Sequence, residues 1–300
     1  MDETATDSPE IATTTYQLTK QQKIDLLFEA VEIELLDSTK KNHNRNLSDA
    51  NINSLYSNPN RVQHPNFAPN ANTNDGFENS IEEYNKKSVL LAKKAVENSK
   101  KDIAIAGSVS ASGSFYKLGI KTMIPNFNEQ LKILIGEGVD LIILEAMSSQ
   151  AEIVQAMIEC STKIEIPVWL AISCVIDNST NDVMLGYNDS MDTPPEIYEN
   201  FEKSLNKFSK LHEGPILIAH SNIDVTGKAV KIAKKNFNGI IGAYPNVGFY
   251  EKPHWIYEDN MKPEDYLIQA KSWFENGSQI IGGCCGIGPD LIKSLSNLKL

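Results

Sequence analysis

The chain has 300 residues, 41% hydrophobic and 22% charged, which fits one large globular α/β domain or two smaller ones. A formal charge of −11 argues against a nucleic-acid-binding face and against an anionic membrane surface, and no apolar run approaches the ~20 residues that span a bilayer. The opening Met1-Asp2-Glu3-Thr4 has neither the basic nor the apolar part of a secretory signal, and four cysteines, two of them adjacent, are too few for a disulfide framework. A cytoplasmic protein with reduced thiols is expected.

Taken in chain order, short β-rich apolar runs alternate with longer amphipathic stretches. A strand at Pro9–Thr15 precedes a helix at Gln21–Leu36. The pattern then breaks between 41 and 80. Positions 42–74 hold 11 Asn together with Pro59, Pro65 and Pro69, so this segment reads as a long loop. A disordered insertion is favoured there over an active-site lid, and neither His43 nor His64 within it is taken as a ligand. Helices follow at Ile81–Ser99, Asn128–Gly136, Ala151–Cys160, Pro194–Leu211, Thr226–Asn236 and Pro263–Asn276. Between them fall strands at Ile103–Val109, Leu141–Glu145, Pro167–Ser173, Pro215–His220, Gly239–Tyr244 and Gln279–Gly282. Such alternation implies βαβ units and a parallel sheet within a single domain spanning 1–300.

Seven such strands fit an open doubly wound sheet or a barrel of eight with one strand missing. No Gly-x-Gly-x-x-Gly follows the first strand, which weakens the open, nucleotide-binding arrangement. Polar residues recur instead at strand C-termini, as Thr13, Thr15, Ser108, Glu145, Ser173, His220 and Tyr244. Any one of them suits a cap or turn, but a ring of them is what the catalytic mouth of a barrel requires.

The most informative segment is Ile280-Ile281-Gly282-Gly283-Cys284-Cys285-Gly286-Ile287-Gly288-Pro289-Asp290. An apolar strand ends in two glycines, two adjacent thiols, a third glycine and a proline-led helix start. Two soft thiolates on one rigid turn suit Zn²⁺. Two buried small apolar residues, or a redox pair, are the competing readings of the same residues.

Around these cysteines the chain resembles the homocysteine S-methyltransferase family. Gly282-Gly283-Cys284-Cys285-Gly286 matches the family's paired zinc cysteines. Thr13-Thr14-Thr15-Tyr16-Gln17, Ala106-Gly107-Ser108-Val109 and Gly138–Glu145 resemble its second, third and fourth strands, and Pro167-Val168-Trp169 begins the likeness to its fifth. Gly242-Ala243-Tyr244-Pro245-Asn246-Val247-Gly248 resembles the seventh-strand Tyr-Pro-Asn-x-Gly segment. The resemblance implies a (β/α)8 TIM-type barrel with zinc as cofactor. It also implies transfer of a methyl group from an onium donor (S-methylmethionine, S-adenosylmethionine or betaine) to the zinc-bound thiol of homocysteine, giving methionine. The partners are then small molecules, with an oligomer also compatible.

Two departures from the family stand out. The family opens with an Asp-Gly-Gly strand about forty residues ahead of its Thr-rich strand, whereas this chain starts near the Thr-rich strand. A barrel missing its first β-α unit is therefore expected, with a fragment or mis-started reading frame favoured over an assembly that fills the gap. The family's third zinc ligand is a Cys in a Gly-x-Asn-Cys segment, and the aligned residues here are His220-Ser221-Asn222-Ile223. Ile223 cannot bind metal. His220, on the same strand, is the candidate replacement beside Cys284 and Cys285, with Cys174 weaker and Cys160 read as packing.

Glu145 matches the family's carboxylate for the homocysteine ammonium and is the expected catalytic residue. Thr15, Ser108, Asn222, Tyr244 and Asn246 are expected to line the amino-acid pocket. Trp169 and Trp255 are candidates to pack on a cationic donor, core packing being an equal reading for Trp169. The alternative to an enzyme is a non-catalytic relative whose barrel binds a ligand or partner.

Overall fold

The computed structural model describes residues 81–99, 103–110, 119–148, 150–186, 198–247, 249–251, 254–256 and 261–298. The expected strand Pro9–Thr15, the helix Gln21–Leu36 and the Asn-rich segment 41–80 lie outside them, and so does Thr15.

The described chain opens with α1 (Ile81–Ser99), β1 (Ala106–Ser110), α2 (Ile120–Gly136), β2 (Leu141–Met147), α3 (Ala151–Ser161) and β3 (Val168–Ile172). Three short strands follow, β4 (Cys174–Ile176), β5 (Val183–Leu185) and β6 (Glu199–Asn200), and then α4 (Phe201–Phe208). Next come β7 (Ile216–Asn222), α5 (Ile223–Asn236), β8 (Ile241–Asn246), and the strands β9 (Phe249–Glu251) and β10 (His254–Ile256). The chain closes with α6 (Pro263–Glu275), β11 (Ile280–Ile281) and α7 (Pro289–Ser294).

Six strands form one all-parallel sheet in the order β1-β2-β3-β7-β8-β11. Spatial order follows chain order without reversal, so among the described strands there is no switch point of the kind that defines a doubly wound sheet. The two faces are also covered differently. Ile142, Leu144, Leu170, Ile172, Ile216, Ile218, Ile241, Ala243 and Ile281 share a core with Leu131, Ile153, Leu205, Val230 and Trp273 from the helices. Ala171, Leu217, Ala219, Tyr244 and Cys284 form a second cluster with Ile143, Trp169, Ile280 and Cys285, and among the described residues no helical one joins it. The described helices therefore pack on one face, as helices do around a singly wound sheet.

Local chemistry explains most element boundaries. The i, i+4 and i+3 spacing of Met123, Phe127, Leu131 and Leu134 buries one side of α2. This helix begins at Ile120 rather than at the expected Asn128, because Pro125 sits close enough to the start to cost only one backbone bond. α4 is shorter than the expected Pro194–Leu211. It starts at Phe201, where the Asn200 side chain accepts the backbone N–H of Lys203 at 3.2 Å. The antiparallel β4-β5-β6 sheet and the β9-β10 pair were not anticipated, being short runs without an alternating pattern.

Candidate metal and substrate site

The paired thiols sit on a turn stitched to the end of β8. The backbone N–H of Gly282 donates to Ala243 O at 2.9 Å, that of Cys284 to Pro245 O at 2.8 Å, and that of Val247 to Cys285 O at 2.9 Å. These bonds continue the β8–β11 ladder past its last regular residue and carry both thiols alongside Tyr244. Two glycines allow the turn. A Cβ on Gly283 would lie 2.2 Å from Ile287 Cγ2, and Gly286 takes φ +78°. From α6, the Tyr266 hydroxyl donates to Gly282 O and braces the turn from the helical side.

Across the same face lie Glu145 and His220, each at a break in a strand. The β2–β3 register shifts between Leu144 and Met147, and the β7–β8 register between Ala219 and Asn222. Within the first break Ala146 has φ +50°, and within the second His220 has φ +47°. A left-handed backbone costs a non-glycine residue about 1–2 kcal/mol, so the surroundings must hold it. Ser221 does part of this. Its hydroxyl donates to Ala219 O at 2.8 Å and accepts the backbone N–H of Cys174 at 2.8 Å. Thr226 Oγ1 adds a bond to Asn222 O at 2.9 Å. Bulges re-aim side chains. Here the second turns His220 to the face opposite the described helices, although strict alternation from Ala219 would send it to them.

The result is a buried cluster of residues distant in the chain. His220 Nε2 lies 2.7 Å from Glu145 Oε1, and the Tyr244 hydroxyl donates to that same oxygen. The His220 and Tyr244 rings meet edge-on, with centroids 6.2 Å apart. Cys284 Sγ stands 3.1 Å from His220 Nδ1 and 3.6 Å from Cys285 Sγ. Burial opposes charge on His220, but Cys285 and the Glu145 carboxylate outweigh it and raise the pKa of the imidazole to about 10.

Cys284, Cys285 and His220 together could hold a metal ion, their ligand atoms all lying within 4.8 Å of one another. A tetrahedral zinc with Zn–S of about 2.3 Å and Zn–N of about 2.0 Å needs sulfurs about 3.7 Å apart and a sulfur–nitrogen distance of about 3.5 Å. The two thiols already satisfy the first, and the 3.1 Å between Cys284 Sγ and His220 Nδ1 is within about half an ångström of the second. Three protein ligands with one position left over is the arrangement of a catalytic site.

The other expected residues fall in graded positions. Tyr244 and Asn246 are buried on β8, and Asn246 Nδ2 reaches Asn222 Oδ1 at 3.5 Å, with Asn222 itself exposed at the start of α5. Ser108 is exposed on β1, opposite Ile143 in the ladder. Trp169 is half-buried beside the thiol cluster, whereas the side chain of Trp255 is outside the description. Ile223 packs with the helical core, as does the buried Cys174, whose thiol is pushed up by burial and which is not in the metal-competent group. Cys160 is half-buried against that same core. Sequence reasoning missed Ser221 and Tyr266, since the first reads as an ordinary strand-end serine and the second as one aromatic residue of an amphipathic helix.

Comparison with known proteins places these observations. The sequence model of the homocysteine S-methyltransferase family matches residues 61–298. Homocysteine S-methyltransferase 3 of Zea mays is 26% identical over 198 residues, covering 64% of this chain and 54% of the relative. Selenocysteine methyltransferase of Astragalus bisulcatus is 28% identical over 214 residues, covering 64% and 58%. The chain thus spans about half the length of the curated relatives it matches. In three dimensions it is similar to the metallated form of the homocysteine methyltransferase MmuM from Escherichia coli, with a TM-score of 0.58 at 18% identity over 89% of this chain and 93% of that one. With its family model matched over more than half its length, the chain belongs to the homocysteine S-methyltransferase family.

Proposed function

We propose that this protein transfers a methyl group from a sulfonium or ammonium donor to the thiol of homocysteine, giving methionine, with zinc held by Cys284, Cys285 and His220. The observation that carries this reading is the gathering of two thiols and an imidazole at the C-terminal ends of parallel strands, on the face opposite the described helices. The six strands are then the greater part of a (β/α)8-type barrel, and that face is its interior. Four cysteines present as thiols, two of them adjacent, suit the reducing cytoplasm. Among the described residues no helix is long and apolar enough to cross a membrane.

Bound zinc would supply the Lewis acidity that makes a thiol, ordinarily near pKa 8.5, a thiolate at neutral pH. The chain's own residues place the partners. Glu145 offers a carboxylate to the homocysteine ammonium, and Ser108, Asn222, Tyr244 and Asn246 border the amino-acid pocket. Trp169 offers a π-face to the cationic donor. The sulfur–carbon bond forms as the donor's onium–carbon bond breaks, so thiolate and cation both become neutral. A buried, low-dielectric mouth favours that loss of charge.

Zinc content and methionine formation test the reading. The purified chain is expected to carry one zinc, to lose it in Cys284→Ala and Cys285→Ala, and to form methionine from homocysteine with one of S-methylmethionine, S-adenosylmethionine or betaine. A folded chain that takes up no zinc and forms no methionine with any of the three would overturn it in favour of a non-catalytic relative.

A further inference from the structure

We propose that Glu145 is a positioning residue for the metal site: it accepts the Nε2–H of His220 and so fixes Nδ1 as the nitrogen presented to the ion. This rests on the zinc reading above and gives Glu145 a task that the family resemblance does not imply.

The geometry makes the two ring nitrogens unequal. Nε2 is 2.7 Å from Glu145 Oε1 and 3.8 Å from Cys284 Sγ, while Nδ1 is 3.1 Å from that sulfur. Nδ1 therefore faces the thiols and Nε2 faces the carboxylate. A neutral imidazole carries one proton, and a hydrogen bond at one nitrogen decides which nitrogen is left to ligate. The Tyr244 hydroxyl donates to the same Oε1 and its ring sits edge-on to the imidazole, so the acceptor is itself held in place. Burial makes the arrangement consequential, because a carboxylate only 9% exposed requires compensating positive charge, which a metal-bound imidazole provides. The pairing is also built rather than incidental. Glu145 and His220 come from β2 and β7, which β3 separates, and each lies at a register break with a left-handed residue.

Zinc affinity by chelator competition, with cobalt(II) absorption as the spectroscopic reporter, tests this on the full chain. Glu145→Gln is expected to weaken zinc binding by about 10–100-fold and to shift the cobalt d–d bands, with the thiolate-to-cobalt charge-transfer bands retained. Tyr244→Phe should weaken zinc in the same direction and by less. Zinc affinity equal to that of the unaltered chain in Glu145→Gln, with only the KM for homocysteine raised, would overturn the proposal and leave Glu145 as a substrate residue alone. Nitrogen-15 spectra of the unaltered zinc-loaded chain give the same answer without a variant: a protonated Nε2 and a coordinated Nδ1 are expected, and the reverse assignment overturns it. A chain that binds no zinc at all refutes the zinc reading instead, and this proposal with it.

Discussion

The two faces of the parallel sheet are made from the same strands and obey different rules. On the helical face the regular parts of β2, β3, β7 and β8 alternate through Ile142, Leu144, Leu170, Ile172, Ile216, Ile218, Ile241 and Ala243, every one apolar and buried. On the opposite face the alternation holds through Ile143, Trp169, Ala171, Leu217 and Ala219 and then fails at Glu145-Ala146 and His220-Ser221. The first face is optimised for packing, whereas the second gives up regular pairing at two strand ends to bring a carboxylate, an imidazole and two thiols together. Stability and chemistry are thereby assigned to separate surfaces of one sheet, and substitutions should separate them.

The largest effect is expected from the helical face. Leu170 is fully buried at the centre of β3, and Leu170→Ala should cost about 2–5 kcal/mol of stability through lost burial and the cavity left behind. Denaturant unfolding measures this directly. The metal content of the protein that remains folded should be unchanged, since Leu170 points away from the thiols. A parallel loss of metal would show that the two faces are coupled more tightly than the division of residues implies.

How far each face is legible in the sequence follows from the same contrast. Regular burial writes a periodic signal, so α1 and the cores of β2, β3, β7 and β8 can be placed from hydrophobic pattern alone. The cysteine turn is legible for another reason, because two thiols framed by glycines serve few purposes. His220 stands out as the end of an apolar run, but its left-handed backbone does not, since nothing about histidine signals a conformation that glycine adopts freely. The contact between Glu145 and His220 is beyond reach as well. The two are 75 positions apart on strands that are not neighbours, and they meet only because two bulges redirect the chain. Ser221, which holds one of those bulges, looks in the sequence like any strand-end serine.

The chemical face should respond to pH where the packed face does not. With the His220 pKa raised to about 10, its imidazole is protonated across the neutral range, and a metal must displace that proton to bind. The sign follows: apparent metal affinity falls as pH falls below about 10 and rises as pH rises towards it. One displaced proton gives about tenfold per pH unit, so about a hundredfold gain between pH 6 and pH 8, and protons lost from the thiols steepen the slope. Chelator competition across that range measures it. A slope that His220→Ala leaves unchanged would mean that His220 is not a ligand, or that Cys285 and Glu145 do not hold its proton.

The smallest effect probes the hinge between the two regimes. Ser221 Oγ ties Ala219 O to the backbone N–H of Cys174, so one hydroxyl fixes the bulge that turns His220 away from the helices. Ser221→Ala removes no apolar packing and no ligand. It deprives a buried backbone N–H of this acceptor, which costs about 1–2 kcal/mol. The cost should appear twice: as a modest fall in unfolding free energy, and as a weaker hold on the metal once the left-handed turn at His220 loses its support. Ser221→Thr, which keeps the hydroxyl, should recover both. If Ser221→Ala lowers stability but leaves metal affinity untouched, Thr226 and the neighbouring strand suffice to hold the bulge. The orientation of His220 would then be a property of the whole strand end rather than of one side chain.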